Sequence, residues 1–302
     1  MKGRVPAGRV LVTGASGQVG RELLRRAAAH GLEAVGLVRA ELDVADPEAV
    51  RRALEGLRPA FVVNAAAYTA VDRAEREPEA AWRANRDGPA ALADACRELG
   101  LPLLHYSTDY VFDGTLERPY REEDPVAPLN VYGASKAAGE EAVRRSWERH
   151  LILRTSWVYS PFGRNFVKAI LRAAAEREAL EVVADQWGRP TAAADLAEAA
   201  LALARRHLEG EALPWGTYHL AGEGVTTWHG LAEAVVEAAA PRLGRRVPVR
   251  PIATADYPTA ARRPLRAVLD CRLARQRLGL AARPWREALG EVLGELLEGP
   301  RP

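Results

Sequence analysis

The 302-residue sequence predicts an α/β fold, a doubly wound parallel sheet with a smaller C-terminal lobe. Two patterns carry that expectation. Short runs of Val, Ile and Leu alternate with helical stretches through the first half of the chain, the order in which parallel strands and their crossover helices follow one another. A glycine-rich segment, Gly14 to Gly20, lies between the first such run and the first helix. After Tyr159 the alternation loosens, and Pro214, Gly216, Gly222 and Gly224 punctuate the chain, which marks the lobe.

Taken in order, Arg9 to Thr13 is a β-branched strand, and the glycine segment opens a helix that ends near His30. Glu33 to Arg39 is a second strand. Pro47 to Leu57 is a helix with proline in its first turn, where the missing N–H has no intrahelical partner anyway. Phe61 to Ala65 is the third strand, Arg86 to Leu99 a helix, and Leu103 to Ser107 the fourth strand. A long helix from Val131 to Trp147 precedes a fifth strand, Leu151 to Tyr159. Beyond it, Asn165 to Arg177 reads as a helix, Leu180 to Ala184 as a strand and Thr191 to His207 as an Ala-rich helix. Residues 1–160 are expected to form a Rossmann-like domain to which the helix near 191–207 returns. Residues 161–190 and 220–302 are expected to form mainly the lobe, closing over the C-terminal edges of the strands.

Composition excludes several classes. Hydrophobic residues make up 48% and charged residues 27%, an ordinary globular balance rather than a disordered one. With 42 basic and 40 acidic residues the charge is too even for a nucleic-acid partner gripped by charge alone. The longest uncharged apolar run, Pro59 to Val71, falls short of the ~18 residues of a membrane span. The first eight residues hold no apolar stretch of the kind a signal peptide needs. Cys96 and Cys271 stand far apart, so the expectation is two reduced thiols, a cytoplasmic protein and no bound metal. Lysine occurs only at positions 2, 136 and 168, asparagine four times and glutamine three times, so each survivor marks a position where arginine would not serve equally.

Three segments carry chemistry. Gly14, Gly17 and Gly20 allow a tight turn through which a pyrophosphate reaches the N–H groups of a helix N-terminus, although the spacing is G-x-x-G-x-x-G rather than the commoner G-x-G-x-x-G. Tyr132 and Lys136 open a helix four residues apart, on one face. A tyrosine with an ordinary pKa of ~10 needs roughly 4 kcal/mol of selective phenolate stabilisation to titrate near neutrality, which an adjacent buried cation supplies. A surface Tyr–Lys pair without a role is the alternative. Ser107-Thr108-Asp109-Tyr110 follows the fourth strand, where ligands of such sheets sit, and Thr108 brings a hydroxyl for an oxygen gaining negative charge. An ordinary strand-to-loop cap is the alternative there.

These segments occur in order with Asn64-Ala-Ala-Ala-Tyr-Thr-Ala-Val-Asp72, Gly139-Glu140, Arg154-Thr-Ser-Trp-Val-Tyr159, Asn165-Phe-Val-Lys168, Asp185-Gln-Trp-Gly-Arg-Pro-Thr191, Thr227-Trp-His229 and Tyr257 to Pro264. Together they resemble, nearly end to end, the dTDP-4-dehydrorhamnose reductases of the extended short-chain dehydrogenase/reductase family. The resemblance implies reduction of the C4 keto group of a dTDP-4-dehydro-sugar by NAD(P)H, a small-molecule nucleotide-sugar substrate, and an assembly left open between monomer and homodimer. It implies that Tyr132 protonates the oxygen at C4, that Lys136 binds the nicotinamide ribose and tunes Tyr132, and that Thr108 holds the keto oxygen. On the cofactor side it implies contacts from Gly14 and from Gly17, Gln18, Val19 and Gly20 to the pyrophosphate, from Asp43 and Val44 to the adenine, and from Ala65, Ala66 and Ala67 to the ribose. On the substrate side it implies Asp109 and Trp157 against the deoxysugar and Lys168 and Arg263 toward the diphosphate, with Thr69, Asn165 and Gln186 as further candidates; plain core packing is the alternative for Trp157. A structural polar role is the alternative for Asn165, Lys168, Gln186 and Arg263. His219 and His229 read as structural.

Related dehydratases carry Asp-Glu after the corresponding threonine; here Asp109 is followed by Tyr110, so the second acid–base group that eliminating water requires is missing. Reduction needs one proton and one hydride. A non-catalytic alternative is a cofactor-binding regulatory subunit, as the β subunit of methionine adenosyltransferase, which shares many of these blocks; a reductase of another nucleotide keto-sugar is a third. Arg39 is the first charge after the second strand and suits a 2′-phosphate, while Glu41 and Asp43 just beyond suit a free ribose hydroxyl. The expected cofactor is NADPH, with NADH also accepted; the alternative is an Arg39 directed into solvent.

Overall fold

Residues 8–298 are described by the structure, a computed structural model. The chain opens with β1 (Arg9–Thr13), α1 (Gln18–Arg26), β2 (Glu33–Leu37), α2 (Pro47–Leu57) and β3 (Phe61–Asn64). Asp46 caps α2 through the N–H groups of Glu48 and Ala49, with Pro47 in the first turn as the sequence predicts. Two short helices, α3 (Val71–Ala74) and α4 (Pro78–Trp82), lead through a π-helical turn, Arg83–Asp87, into α5 (Gly88–Leu99). Next come β4 (Leu103–Thr108), α6 (Val131–Ser146) and β5 (His150–Thr155). The second half holds β6 (Val158–Tyr159), α7 (Phe166–Glu176), β7 (Leu180–Val183), β8 (Trp187–Gly188), β9 (Thr191–Ala192), α8 (Ala193–Leu208), β10 (Gly216–His219), β11 (Thr226–Thr227), α9 (Trp228–Leu243), β12 (Val249–Ile252), α10 (Arg272–Leu278) and α11 (Trp285–Glu298).

The main sheet has six parallel strands in the order β10-β5-β4-β3-β1-β2, so the α/β doubly wound architecture read from the sequence is the one observed. The order reverses on either side of β1, and the C-terminal ends of β1 and β3 therefore flank the crevice where such sheets take ligands. Strand residues alternate between two apolar layers. Val10, Val12, Phe61, Val63, Leu104, Leu151 and Leu153 pack on one side with Leu23 of α1 and Leu196, Leu201 and Leu203 of α8. Leu11, Val62, Leu103 and Ile152 pack on the other with Val50, Leu54, Leu92 and Val143. Both faces being covered is why these strands are continuous apolar runs.

A separate core joins α7, α9 and α11 through Val167, Ile170, Leu231, Val235, Leu289 and Leu293. Ala274 and Leu278 of α10, in contrast, pack into the main-sheet layer that α8 covers. Among the described residues no helix is long and apolar enough to cross a membrane.

Two elements depart from the sequence reading. The expected strand 151–159 stops at Thr155, because Trp157 has a left-handed backbone with φ +50° that no strand accommodates; Val158 and Tyr159 then pair with Thr191 and Ala192 instead. The sixth strand, β10, pairs with β5 where only turn signals were read.

Candidate active site

The glycine loop is packed as tightly as a dinucleotide cradle requires. Gly14 has φ +69°, and a Cβ there would lie 2.6 Å from the backbone of Ala65; one on Gly20 would lie 2.3 Å from the Gly14 carbonyl. Gly17 precedes α1 and gives it no side-chain cap, so the first-turn N–H groups of Gln18, Val19 and Gly20 have no intrahelical acceptor. A cavity of about 220 Å³ adjoins the loop, lined by Gly14, Gly17, Asp43, Val44 and the Ala65–Ala67 backbone. These residues fit a nicotinamide dinucleotide: an anion cradle at a helix start beside a pocket walled by aliphatic groups. The side chain of Gln18 does something else. Its Oε1 accepts from Ser160 (3.0 Å) and Asn165 (2.9 Å), tying α1 to the segment before α7.

Arg39 also lines this cavity and is exposed. Across from it stands Arg83, from the π turn, whose Nη2 donates to Asp43 at 2.7 Å. That bond holds the Asp43 carboxyl below its usual range. Glu41 accepts the Val38 N–H at 2.9 Å. Both carboxylates beyond β2 are therefore engaged by the protein itself. Arg83 carries no sequence signal: it precedes the helix expected over 86–99, and only the π turn brings it beside Asp43.

The catalytic candidates meet at the end of β4. Asn130 caps α6 through the Gly133 N–H (2.8 Å) and holds the Arg262 carbonyl (2.7 Å). A Cβ on Gly133 would sit 2.2 Å from the Tyr110 carbonyl, so only glycine lets the helix start press against the turn after Thr108. Tyr110 and Tyr132 then meet edge to face at 5.6 Å. Burial pushes the Tyr132 phenol up to about 12, partly offset by the Thr108 hydroxyl beside it. The Thr108 hydroxyl donates to Asp109 (3.0 Å) and accepts the Tyr110 N–H (3.2 Å). Asp109 is 2% exposed, and burial raises its carboxyl to about 7.

Lys136 lies four residues on from Tyr132 in the same helix. Its Nζ donates to the Tyr106 carbonyl at 2.6 Å and lies 3.3 Å from His105 Nε2, so it is bound to β4 rather than to the phenol. Burial lowers it to about 8. Behind it a buried polar chain runs from His105 Nδ1 to Asn64 Nδ2 (3.0 Å), while Asn64 Oδ1 accepts from Thr13 (2.7 Å) and from the Ala66 N–H (3.1 Å). Lower in the same helix Glu140 meets Arg154 of β5 at 2.8 and 2.6 Å, and that guanidinium holds the buried carboxyl low against the cost of burial.

A larger cavity, about 650 Å³, lies between α7, β7 and the 257–263 segment. Gln186 and Arg263 line it with Trp228 and Tyr257. Gln186 accepts from the Trp228 indole (3.1 Å) and donates to Thr254 (3.1 Å). Trp157 stacks on Trp228. Arg263 is not free in this arrangement: it donates to Asp72 at 3.1 and 2.7 Å. The structure does not bring every candidate here. Asn165 caps α7 through the Lys168 N–H (3.1 Å), and Lys168 Nζ donates to the Pro161 carbonyl (2.9 Å), so both have structural partners. Thr69 is exposed on the segment after β3. His219 accepts and donates only within the fold, between Tyr120 and Arg154, and burial lowers it to about 3. His229 lies 3.1 Å from the Val249 carbonyl. His105 carries no sequence signal, and Trp228 stands in the sequence only as part of the Thr227–His229 block. Asn85 joins Tyr68 to Ser135 of α6 from within the π turn, and its rarity in this chain was the one available signal.

Comparison with known proteins agrees with this geometry. A family profile described as the RmlD substrate binding domain matches residues 8–298. A dTDP-4-dehydrorhamnose reductase of Burkholderia thailandensis is 45% identical over 298 residues, covering 96% of this chain and 99% of the relative. One from Sinorhizobium fredii is 43% identical, covering 96% and 98%. The crystal structure of a Bacillus anthracis dTDP-4-dehydrorhamnose reductase in complex with NADP superposes with a TM-score of 0.88 at 34% identity, over 95% of this chain and 99% of that one. Cradle, tyrosine–lysine helix and full-length similarity thus coincide, and the chain belongs to the RmlD substrate-binding-domain family, alongside the dTDP-4-dehydrorhamnose reductases.

Proposed function

We propose that this chain reduces the C4 keto group of dTDP-4-dehydro-β-L-rhamnose to give dTDP-L-rhamnose, with NADPH as the preferred reductant and NADH also used. One observation carries the reading: Tyr132 and Thr108 adjoin at the C-terminal end of β4, beside a glycine cradle fit for a dinucleotide, with Tyr110 where a second carboxylate would stand. A bound nicotinamide supplies a hydride to C4.

The chain's own residues do the rest. Tyr132 Oη donates its proton to the sugar oxygen as that oxygen gains charge; a phenol pushed up to about 12 is fully protonated at neutral pH and ready to donate. The Thr108 hydroxyl orients the same oxygen once its single proton turns toward it from Asp109. Lys136, clamped by the Tyr106 carbonyl, keeps a cation one helical turn from the phenol. Trp157 and Trp228 offer a flat apolar face to the sugar nucleotide beside the larger cavity, where Gln186 and Arg263 supply polar contacts. The free thiols of Cys96 and Cys271 support a cytoplasmic setting for this work.

The test is NADPH oxidation at 340 nm with enzymatically generated dTDP-4-dehydro-β-L-rhamnose, product identified by mass and NMR. Turnover to the L-rhamno product supports the reading. Tight NADPH binding without turnover of this or any related keto-sugar nucleotide overturns it in favour of a non-catalytic binding role.

A further inference from the structure

We propose that His105, held by Asn64 with its proton on Nε2, is a positioning residue that sets the proton affinity of Lys136. The proposal deepens the reading above, which places Lys136 beside the proton donor, and rests on that reading only for its kinetic consequence.

Hydrogen-bond accounting fixes the direction of the whole chain. The Ala66 N–H can only donate, so the atom of Asn64 that faces it at 3.1 Å is the side-chain oxygen, which also takes the Thr13 hydroxyl at 2.7 Å. Turning the amide over would set its NH₂ against that backbone N–H. The Asn64 nitrogen therefore faces His105 Nδ1 at 3.0 Å, and since it only donates, Nδ1 must accept. His105 is fully buried, and burial together with the neighbouring Lys136 drives its basicity far down, so the ring is neutral. A neutral imidazole accepting at Nδ1 carries its proton on Nε2. That N–H points at Lys136 Nζ, 3.3 Å away.

An ammonium offers three donors and no acceptor, so the protonated form of Lys136 meets a donor with a donor; the free amine accepts from it. The other partner of Nζ, the Tyr106 carbonyl at 2.6 Å, is satisfied by either form and does not discriminate. The other charged and titratable groups acting on this pair are Glu140, on the same helix as Lys136, and His150 of β5, which faces His105. Glu140 favours the ammonium, yet its carboxylate is committed to Arg154 and Arg144. His150 is itself buried and pushed toward its neutral form. His105 is thus the group that sets a directed N–H against the cation. The placement of Asn64 and Thr13 on adjacent strands explains how a tautomer is held in a site with no water-exposed partner.

Lysine scarcity makes the test direct. With three lysines in the chain, a sample labelled at lysine Cε shows three signals, and the one absent in Lys136→Met belongs to Lys136. Burial puts its midpoint near 8, and the opposing N–H holds that of the unaltered protein lower still. In His105→Phe, which removes the opposing N–H, the midpoint rises by about one pH unit or more above that of the unaltered protein. A purely packing role predicts no change or a fall, because phenylalanine makes the surroundings less polar; a midpoint within about 0.3 unit of the unaltered protein, or below it, overturns the proposal. Should His105→Phe not fold, the nitrogen-15 spectrum of the unaltered protein decides alone. Among its six histidines, His105 must show a protonated Nε2 and a bare Nδ1, and the opposite tautomer overturns the proposal. Neither measurement needs turnover, so loss of the reductase reading and loss of this inference are told apart. Where turnover is present, the pH limb governed by Lys136 in kcat shifts with the NMR midpoint in His105→Phe.

Discussion

Trp157 and Trp228 stack face to face, ring centroids 3.6 Å apart and 8° from parallel, although one follows β5 and the other opens α9. The pair explains a backbone the sequence would not choose. A non-glycine residue at φ +50° costs on the order of 1–3 kcal/mol, and Trp157 accepts it because only that turn lays the indole over Trp228. Gly188 lies beneath, where a Cβ would come within 2.5 Å of the Trp157 ring.

Replacing Trp157 therefore separates ring from backbone. Trp157→Ala and Trp157→Gly should both raise KM for the keto-sugar nucleotide by about tenfold while leaving KM for NADPH within about twofold. The glycine variant should be the more stable of the two by ~1 kcal/mol, since it adopts the left-handed turn without strain. Steady-state kinetics and denaturant titrations check both. Equal loss of stability with unchanged KM would reduce Trp157 to core packing.

Tyr132→Phe should lose at least ~100-fold in kcat, the range of a lost general acid, with little change in the Kd for NADPH measured by fluorescence. Lys136→Arg should also be poor, because a forked guanidinium does not fit between the Tyr106 carbonyl and His105.

The Asp109 carboxyl gives stability a pH signature. Its folded value, raised by burial to about 7, exceeds the ordinary ~3.9 of the unfolded chain. Between those values the folded state holds a proton that the unfolded state releases, so the contribution is complete below about pH 4 and is lost as pH rises through 7. Calorimetry from pH 5 to 8 should show a falling Tm, and Asp109→Asn should flatten that slope by retaining a neutral side chain throughout. An unchanged slope would show that Asp109 is ionised in the folded protein across that range.

Cofactor choice rests on two arginines with different duties. Arg39→Ala should lower the NADPH-to-NADH ratio of kcat/KM by more than about twofold, the signature of a lost phosphate contact. Arg83→Ala should lower the same ratio, because it bares the Asp43 carboxylate to a 2′-phosphate. Binding titrations with both cofactors check the two variants side by side, and a ratio that does not move in either would remove these side chains from cofactor selection.

The parts of this molecule that are legible in sequence are those whose physics is local. Val10 to Val12 and Phe61 to Val63 announce buried parallel strands by being apolar throughout, and Gly14 to Gly20 announce a tight turn by lacking side chains. What stayed hidden depends on distant partners. β10, Gly216–His219, is a four-residue edge strand with glycine at its start, and only its pairing with Leu151 to Arg154 makes it a strand. Asn165 and Lys168 look like ligands by rarity and motif, yet their partners are a helix start and a carbonyl. Arg83 gains its role from a π turn, and His105 from an asparagine on the neighbouring strand.

The late arrival of α8 and β10 in the chain has a consequence for biosynthesis. When β5 leaves the ribosome, the sheet side bearing Leu104, Tyr106, Leu151 and Leu153 still lacks Leu196, Leu201 and Leu203, and the outer edge of β5 lacks its neighbour. At ~5–20 residues per second the nascent chain displays that greasy surface and open edge on the order of seconds. That side and that edge are therefore covered only once residues 156–219 have been made.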